Sequence, residues 1–359
     1  MRLAIDASRT TVARLTGTEH YAVELLRAII RLNTQHEITL YFRDNPPPDL
    51  FPLSASVTQR VIPFSRLWTH LRFAAELWKD RPDLTWVPAH TLPAIFPGSA
   101  AVTVHDLGYK FFPQAHPPRQ RRYLDLTTRY SAARASIVLA DSRATADDLT
   151  RFYGTPAHKI RVVYPGVAAP FVGDVERTRH RYGLPERYFL FVGTLQPRKN
   201  IARIVEAYRL WREANRDETT ALVLAGGQGW LYDPAWTAGV DGVILPGYVD
   251  DADKGALYAG ALALVFPSLY EGFGFPVLEA MHVGTPVICS NTSSLPELAG
   301  DAALLVDPLD EQAIAEAMHN ITSDEVLRAS LKAKGFAQAQ KFTWDAAAHA
   351  ALAAFEGKL

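Results

Sequence analysis

With a single cysteine, Cys289, the chain cannot form an internal disulfide, and that cysteine lacks the companions a zinc cage needs. Cys289 ends the apolar run Pro286-Val287-Ile288-Cys289, so it reads as a buried small hydrophobe compatible with a reducing compartment. No apolar run approaches the roughly 20 residues needed to span a bilayer. The start, Met1-Arg2-Leu3-Ala4-Ile5-Asp6, meets an acid too early for a secretory leader and reads as a first strand. An excess of one charge is missing too: 37 Lys and Arg face 38 Asp and Glu, a formal net charge of −1. That excludes a bulk nucleic-acid binder, though not a local basic patch. Low-complexity tracts and short repeats are also absent from the sequence.

What the chain has is rhythm. At 359 residues it exceeds one ordinary core, so two domains are expected. Leu3 to Ala7, Ile38 to Phe42, Thr85 to Val87, Ala101 to Val104 and Ile137 to Ala140 read as strands. Helical periods cover Glu19 to Leu32, Leu67 to Lys79 and Arg119 to Ala135, and Asn45-Pro46-Pro47-Pro48 marks a loop. The pattern restarts with the strand Phe189 to Val192, the helix Ile201 to Trp211 and strands at 221–225, 243–245, 262–266, 286–289 and 303–306. A polar stretch around Gly173 to Arg181 lies between the halves, placing the boundary near 167–186. The expected fold class is α/β, with parallel-sheet domains over 1–168 and 169–341, then a terminal helix over 342–359 that Thr343 can cap. Ligands of such sheets bind beyond the carboxyl ends of the strands.

The stretch richest in chemistry follows a strand and opens a helix: Tyr270-Glu271-Gly272-Phe273-Gly274-Phe275-Pro276-Val277-Leu278-Glu279. Gly272 and Gly274 let backbone approach a ligand closely, and Pro276 suits a first helical turn. A helix N-terminus there favours a diphosphate. Glu271 lies in the loop and Glu279 about one turn into the helix, so the two carboxylates can serve different hydroxyl-bearing rings of one extended ligand. A glycine-rich turn with a dipole-compensating acid is the plain alternative. Upstream, Gly193-Thr194-Leu195-Gln196-Pro197-Arg198-Lys199-Asn200 sets two cations in a strand–helix loop, which fits a diphosphate leaving group or an exposed basic turn.

Glu271 and Glu279, with seven residues between them and flanked by Val265-Phe266-Pro267-Ser268, resemble the paired-glutamate signature of glycosyltransferase family 4. The resemblance implies a GT-B fold: two Rossmann-like domains facing across a cleft, with the last helix returning to the N-terminal domain. It implies that Glu271 holds donor-sugar hydroxyls, that Gly272, Phe273, Gly274, Phe275, Pro276 and Val277 meet sugar and phosphates through backbone, and that Glu279 binds the ribose. The family often places an arginine directly after the glycine, where this chain has Thr194; the run instead resembles a subgroup that includes bacterial polysaccharide mannosyltransferases. Lys199 and Arg198 carry over to the phosphates, with Thr194 beside them. Leu245-Pro246-Gly247-Tyr248-Val249 resembles the loop that meets the nucleotide base, which brings in Tyr248 and Val249. Asp251-Ala252-Asp253 reads as the cap of a helix starting near Lys254 rather than a metal site, and no metal is expected to be required.

In the first domain, Arg14-Leu15-Thr16-Gly17-Thr18-Glu19-His20 resembles the glycine-containing loop that faces the donor phosphates, with Gly17 carried over; a plain start of a helix is the alternative. His105 ends a strand in Val102-Thr103-Val104-His105-Asp106 and matches the family's histidine beside the reacting sugar. Asp106 either orients it, binds acceptor hydroxyls or forms a turn. Aromatics and arginines from Tyr109 to Tyr123 can meet an anionic membrane surface or a lipid-diphosphate acceptor, or be core residues and a solvated helix face.

The expectation is therefore a cytoplasmic, retaining glycosyltransferase, with peripheral contact at the inner face of the cell membrane left open. Its donor is a nucleoside diphosphate sugar, GDP-mannose being favoured, and its acceptor a hydroxyl of a glycan or lipid-linked glycan. The catalytic candidates are His105, Glu271, Lys199 and Arg198. No other cofactor and no nucleic-acid partner are expected. The rivals are a sugar-nucleotide 2-epimerase of the same fold and a non-catalytic sugar-binding protein.

Overall fold

The computed structural model describes residues 1–12, 17–33, 35–52, 54–215 and 219–357. The chain divides into two compact units, Met1–Gly166 with Phe342–Leu359, and Val167–Lys341.

Along the first unit run β1 (Arg2–Asp6), α1 (Gly17–Leu32), β2 (Glu37–Phe42), β3 (Val57–Val61), α2 (Ala74–Asp80), β4 (Leu84–Val87), β5 (Ser99–Val104), α3 (Gly108–Phe111), α4 (Pro118–Arg134), β6 (Ile137–Ala140), α5 (Arg143–Tyr153) and β7 (Ile160–Val162). Its seven strands are parallel, in the order β3-β2-β1-β4-β5-β6-β7. The inner strands β4 and β6 are buried almost throughout because helices cover both faces of the sheet. The two strands that the sequence pattern does not reveal, β3 and β7, are the edges. There Val57-Thr58-Gln59-Arg60-Val61 and Ile160-Arg161-Val162 are only partly covered and carry polar side chains.

The second unit holds α6 (Val175–Tyr182), β8 (Tyr188–Val192), α7 (Ile201–Ala214), β9 (Ala221–Ala225), β10 (Val243–Gly247), α8 (Asp251–Ala259), β11 (Ala263–Phe266), α9 (Phe275–His282), β12 (Val287–Ser290), α10 (Leu295–Ala299), β13 (Leu304–Val306), α11 (Glu311–Ser323) and α12 (Glu325–Ala339). Six parallel strands run β10-β9-β8-β11-β12-β13. The chain winds outward from β8 to β10, returns, and winds the other way from β11. The strand order therefore reverses between β8 and β11, where α/β sheets place their ligands.

Two sequence expectations need correction, and the polar stretch near Gly173 to Arg181 gains a structure. That stretch holds α6, capped by the Asp174 carboxylate on Arg177 N–H (3.0 Å) and pinned to the start of α8 by Arg181 on Asp250 (2.7 Å) and Asp253 (2.5 Å). Its polarity is that of a helix with one covered face. The helix after Tyr248 begins at Asp251, not near Lys254, so Asp251 and Asp253 lie in its first turn. The expected helix from Leu67 starts as a wider π turn, Thr69–Phe73, and leaves Leu67 exposed with a left-handed φ of 54°.

The last helix, α13 (Trp344–Phe355), belongs to the first unit. Thr343 Oγ1 accepts from Ala346 N–H (3.1 Å) to start it. Ala347, Ala348, Ala351 and Ala354 form its buried stripe within the core that holds Ile5, Leu26, Leu40 and Trp86. Small side chains at helical spacing let it lie close to α1, and Phe355 packs against Trp86 with ring centroids 5.4 Å apart.

Candidate active site

The strongest constellation stands at the strand reversal of the second sheet. β8 leads through Gly193 and Thr194 into a short turn, Pro197–Lys199, while β11 leads through Pro267 to Glu271. Asn200 locks the two loops together. It adopts a left-handed φ of 65°, and its amide donates to Pro267 O (3.0 Å) and Pro308 O (2.6 Å). Leu269 N–H donates to Arg198 O (2.9 Å), and Arg198 donates to Tyr270 O (2.5 Å).

These fixed loops bring three charges together. Lys199 Nζ lies 2.6 Å from Glu271 Oε1, and Arg198 Nη1 lies 2.8 Å from Glu271 Oε2. Glu271 and Lys199 are buried, and the Lys199 ammonium also sits 4.8 Å from the centre of the Phe266 ring. Burial alone raises the Glu271 carboxyl, but Arg198 and then Lys199 outweigh it and hold the group at about 2. Glu271 is thus an anion at any working pH, and the cluster of two cations and one anion carries one net positive charge.

The glutamate's backbone is held as firmly as its side chain. Its N–H donates to Ser293 Oγ (3.0 Å), and Ser294 Oγ donates to Glu271 O (3.0 Å) and to Phe273 O. Beyond it, Gly274 takes φ 130°, and a Cβ there would come within 2.6 Å of Leu295 Cδ2. Only glycine fits that turn, after which α9 begins at Phe275 with Pro276 in its first turn.

Glu279 lies on the same helix in different company. Tyr258 of α8 donates to its Oε2 (2.8 Å), and Lys254 lies 3.6 Å from its Oε1. The structure therefore brings Arg198, Lys199 and Glu271 into one cluster and gives Glu279 its own partners. Thr194 packs its methyl where a Cβ on Gly229 would sit, 2.4 Å away, and Leu195 exchanges backbone hydrogen bonds with Gly227 and Gly229 (2.9 Å each). Thr194 is thus a contact of the loop after β9. Tyr248 is exposed and Val249 buried after β10, the edge strand two places from β8, so they reach the same end of the sheet from a distance.

In the first unit, the carboxyl ends of β4, β5 and β6 meet around His105. Its Nδ1 donates to Asp141 Oδ2 (2.7 Å) and its Nε2 to Pro88 O (3.2 Å). Its backbone N–H donates to His90 Nε2 (3.3 Å), and its carbonyl accepts from Thr145 Oγ1 (3.2 Å). The Tyr21 ring stands edge-on, 4.8 Å between centroids. Burial lowers the imidazole, but attraction to Asp141 and the bonds to Asp141 and Pro88 carry it above its ordinary value. His90, desolvated and repelled by His105, falls to about 4 and stays neutral. Asp106 takes the turn role: its carboxylate accepts from Gly108 N–H (2.8 Å) at the start of α3. Gly17 is the first residue of α1, two residues earlier than the expected helix, while Arg14 to Thr16 lie outside the described residues.

Sequence reasoning missed Asn200 as a clamp, Ser293 and Ser294 as backbone anchors, and the His90 and Asp141 partners of His105. Asp141 had a readable sign: like His105, it is a polar residue directly after a short apolar strand.

Comparisons with known proteins agree with this architecture. Residues 15–169 match the family model described as Glycosyltransferase Family 4, and residues 174–338 that of Glycosyl transferases group 1. The chain is 32% identical over 357 residues to O-antigen chain mannosyltransferase B of Escherichia coli, covering 92% of this chain and 93% of that protein. It is 30% identical over 259 residues to O-antigen chain mannosyltransferase RfbU of Salmonella typhimurium, covering 71% and 68%. Among solved structures, sucrose-phosphate synthase from Thermosynechococcus elongatus superposes with a TM-score of 0.75 at 23% identity, covering 99% and 98%. WaaG, a glycosyltransferase involved in lipopolysaccharide biosynthesis, gives 0.69 at 17% identity, covering 98% and 99%. Two parallel-sheet units, a charge cluster at the strand reversal and matches that run through both halves lead to one conclusion: the chain belongs to this glycosyltransferase family and is a glycosyltransferase of GT-B fold.

Proposed function

We propose that the chain transfers a mannosyl residue, with retention of anomeric configuration, from GDP-mannose to a hydroxyl of a lipid-linked glycan during polysaccharide assembly. The observation that carries this reading is Glu271, held between Lys199 and Arg198 at the strand reversal directly before the N-terminus of α9. The names of the relatives, two O-antigen chain mannosyltransferases, support mannose. A structural neighbour, HepE from Anabaena, has been solved with UDP-glucose, which supports a nucleoside diphosphate sugar as donor.

Charge develops on the leaving diphosphate as the sugar–oxygen bond breaks. Lys199, Arg198 and the dipole end of α9 stabilise it, and they are preorganised by backbone bonds rather than gathered at the moment of reaction. In this reading the diphosphate competes with Glu271 for the two cations. As they turn to phosphate, the Glu271 oxygens are released to accept hydrogen bonds from sugar hydroxyls. Glu279, steadied by Tyr258, accepts from the ribose, and Tyr248 and Val249 border the base. The departing phosphate takes the acceptor proton on the same face, so no base on the far face is required, and the cations replace a metal.

A membrane-facing surface fits a lipid-linked acceptor. No helix among the described residues is long and apolar enough to cross a membrane. On α4, however, Tyr123 and Leu126 are more than half exposed and Tyr130 is partly so, spaced along one face with Arg119, Arg122 and Arg129. Tyr130 reaches Ala94 O (2.5 Å), setting it beside exposed Ile95. The helix's one acid, Asp125, is engaged by Lys110 and Tyr153. This basic, apolar face suits the anionic inner surface of a cell membrane.

The test is a thermal-shift screen of GDP, UDP and ADP, then of their sugar conjugates, followed by product analysis with and without a glycan acceptor. GDP and GDP-mannose should raise the melting temperature, and a glycoside with the donor's anomeric configuration should form only with acceptor. Preference for another nucleotide overturns the donor assignment. An epimerised sugar without acceptor overturns transfer.

A further inference from the structure

We infer that the loop between β9 and β10 is a saccharide subsite of the second unit, where the exposed indole of Trp230 receives the apolar face of a neutral pyranose ring in a glycan substrate. The inference rests on the glycosyltransferase reading and goes beyond it by naming a ring that is held without reacting.

Consecutive parallel strands are usually joined through a helix, and every other consecutive pair in this unit is. Between β9 and β10 the chain instead runs from Gly226 to Gly242 with only a short turn, Pro234–Trp236. A connection that long without a helix is uncommon in a compact domain and usually serves a ligand. Within it, Gly229-Trp230-Leu231-Tyr232-Asp233-Pro234-Ala235-Trp236 holds two of the chain's seven tryptophans. Large apolar side chains are ordinarily covered, yet Trp230 and Leu231 are 52% and 55% exposed. Leu231 also holds a left-handed φ of 56°, which a bulky residue rarely adopts. Strain and exposure thus coincide at the same two neighbouring residues.

The loop is fixed on both sides of this platform and lies at the ligand end of the sheet. Leu195 N–H donates to Gly227 O and Gly229 N–H to Leu195 O (2.9 Å each), and the Thr194 methyl takes the place of a side chain on Gly229. The residue before Trp230 is therefore locked to the loop that leads to Arg198 and Lys199. Beyond Leu231, Asp233 accepts from Ala235 N–H (2.9 Å) to shape the turn, and Trp236 stands edge-on to Tyr232 with ring centroids 5.6 Å apart.

The chemistry of the loop selects its ligand. From Gly226 to Gly242 it has no lysine, arginine or histidine, and its charged residues are Asp233 and Asp241. That composition disfavours phosphate, nucleic acid and an anionic membrane. The electron-rich face of an indole attracts the polarised C–H groups on one side of a pyranose, while exposed Gln228 and Asp233 offer acceptors for its hydroxyls. A neutral sugar ring is the ligand that uses both.

The experiment is a titration of the full chain with neutral manno-, gluco- and galacto-tetraoses, read by tryptophan fluorescence and calorimetry, in wild type, Trp230→Ala and Trp230→Phe. At least one tetraose should bind the wild type and quench its emission. Its dissociation constant should rise about tenfold in Trp230→Ala and only about twofold in Trp230→Phe, which keeps an aromatic face. Affinity for GDP in the same samples should hold, and a matching fall would overturn a separate subsite. In transfer assays, Trp230→Ala should raise KM about tenfold more for a four-ring acceptor than for a one-ring acceptor. An equal rise for both overturns the proposal. So does a blue-shifted emission with phosphatidylglycerol vesicles that disappears in Trp230→Ala, the mark of a lipid contact. Binding of no tetraose by the wild type, or equal binding by wild type and Trp230→Ala, overturns the subsite and leaves the transfer reading intact. Tetraose binding through Trp230 in a chain that transfers no sugar would sustain the subsite and sink transfer.

Discussion

Lys199 Nζ and Glu271 Oε1 lie 2.6 Å apart although 72 residues separate them in the chain. Each is the residue that the other's expected ligand would displace, phosphate for one and sugar for the other. This makes Glu271→Gln informative. The amide keeps the shape, loses the charge and frees both cations. Transfer should fall by about a hundredfold or more, while affinity for free GDP should hold or rise, by up to about tenfold for 1.4 kcal/mol of released competition. Weaker GDP binding by calorimetry would remove the competition from the mechanism, and normal turnover would remove Glu271.

Lys199→Ala tests the phosphate role from the other side. A charge-assisted hydrogen bond contributes about 1.5–3 kcal/mol, so the dissociation constant for GDP should rise about ten- to a hundredfold. The same variant leaves Glu271 with only Arg198 and should lower the melting temperature as well. Unchanged GDP affinity argues against any contact with phosphate.

Acid should reveal the same cluster. The Glu271 carboxyl drops from an ordinary 4.5 to about 2 on folding. Because the folded value is the lower one, the carboxylate's contribution is complete above pH 4.5 and lost as pH falls from there to about 2. It amounts to about 3 kcal/mol. Urea unfolding of the wild-type chain should therefore show stability falling over that window, with a shallower acid limb in Glu271→Gln. Parallel curves for the two proteins would contradict the assignment.

The α4 face predicts salt-sensitive binding to lipid. Full-length protein should sediment with vesicles containing phosphatidylglycerol and not with pure phosphatidylcholine. Changing Arg122 and Arg129 together to Glu should abolish that binding without altering transfer to a soluble acceptor. Each basic residue near such a surface is worth about 1 kcal/mol, so the loss should exceed tenfold. Equal binding to both vesicle types would discard the surface.

Much of this was legible in the sequence because its causes are local. A strand buried on both faces must be apolar throughout, so β8, β9, β11 and β12 could be read directly. β3 and β7 were hidden because an edge strand is partly solvated and its pattern dissolves into polar residues. Gly274 and Pro276 announced a tight turn into a helix, since few other residues satisfy that backbone. The alanine stripe of α13 showed a helix with a close neighbour, although not which neighbour.

The sequence by itself determined the alternation of strand and helix, the turn before α9 and the residue types that can hold a sugar nucleotide. Only the tertiary structure decided the pairing. It set Arg198 and Lys199 on Glu271, gave Glu279 to Tyr258, and joined His105 to Asp141. The physical reason is that strand order is a property of the sheet, not of the chain. β8 and β11 become neighbours only when the winding reverses, and the loops beyond them then share one end of the sheet. Charges that look like independent binding residues along the chain thus become one buried cluster, whose members set each other's protonation and availability.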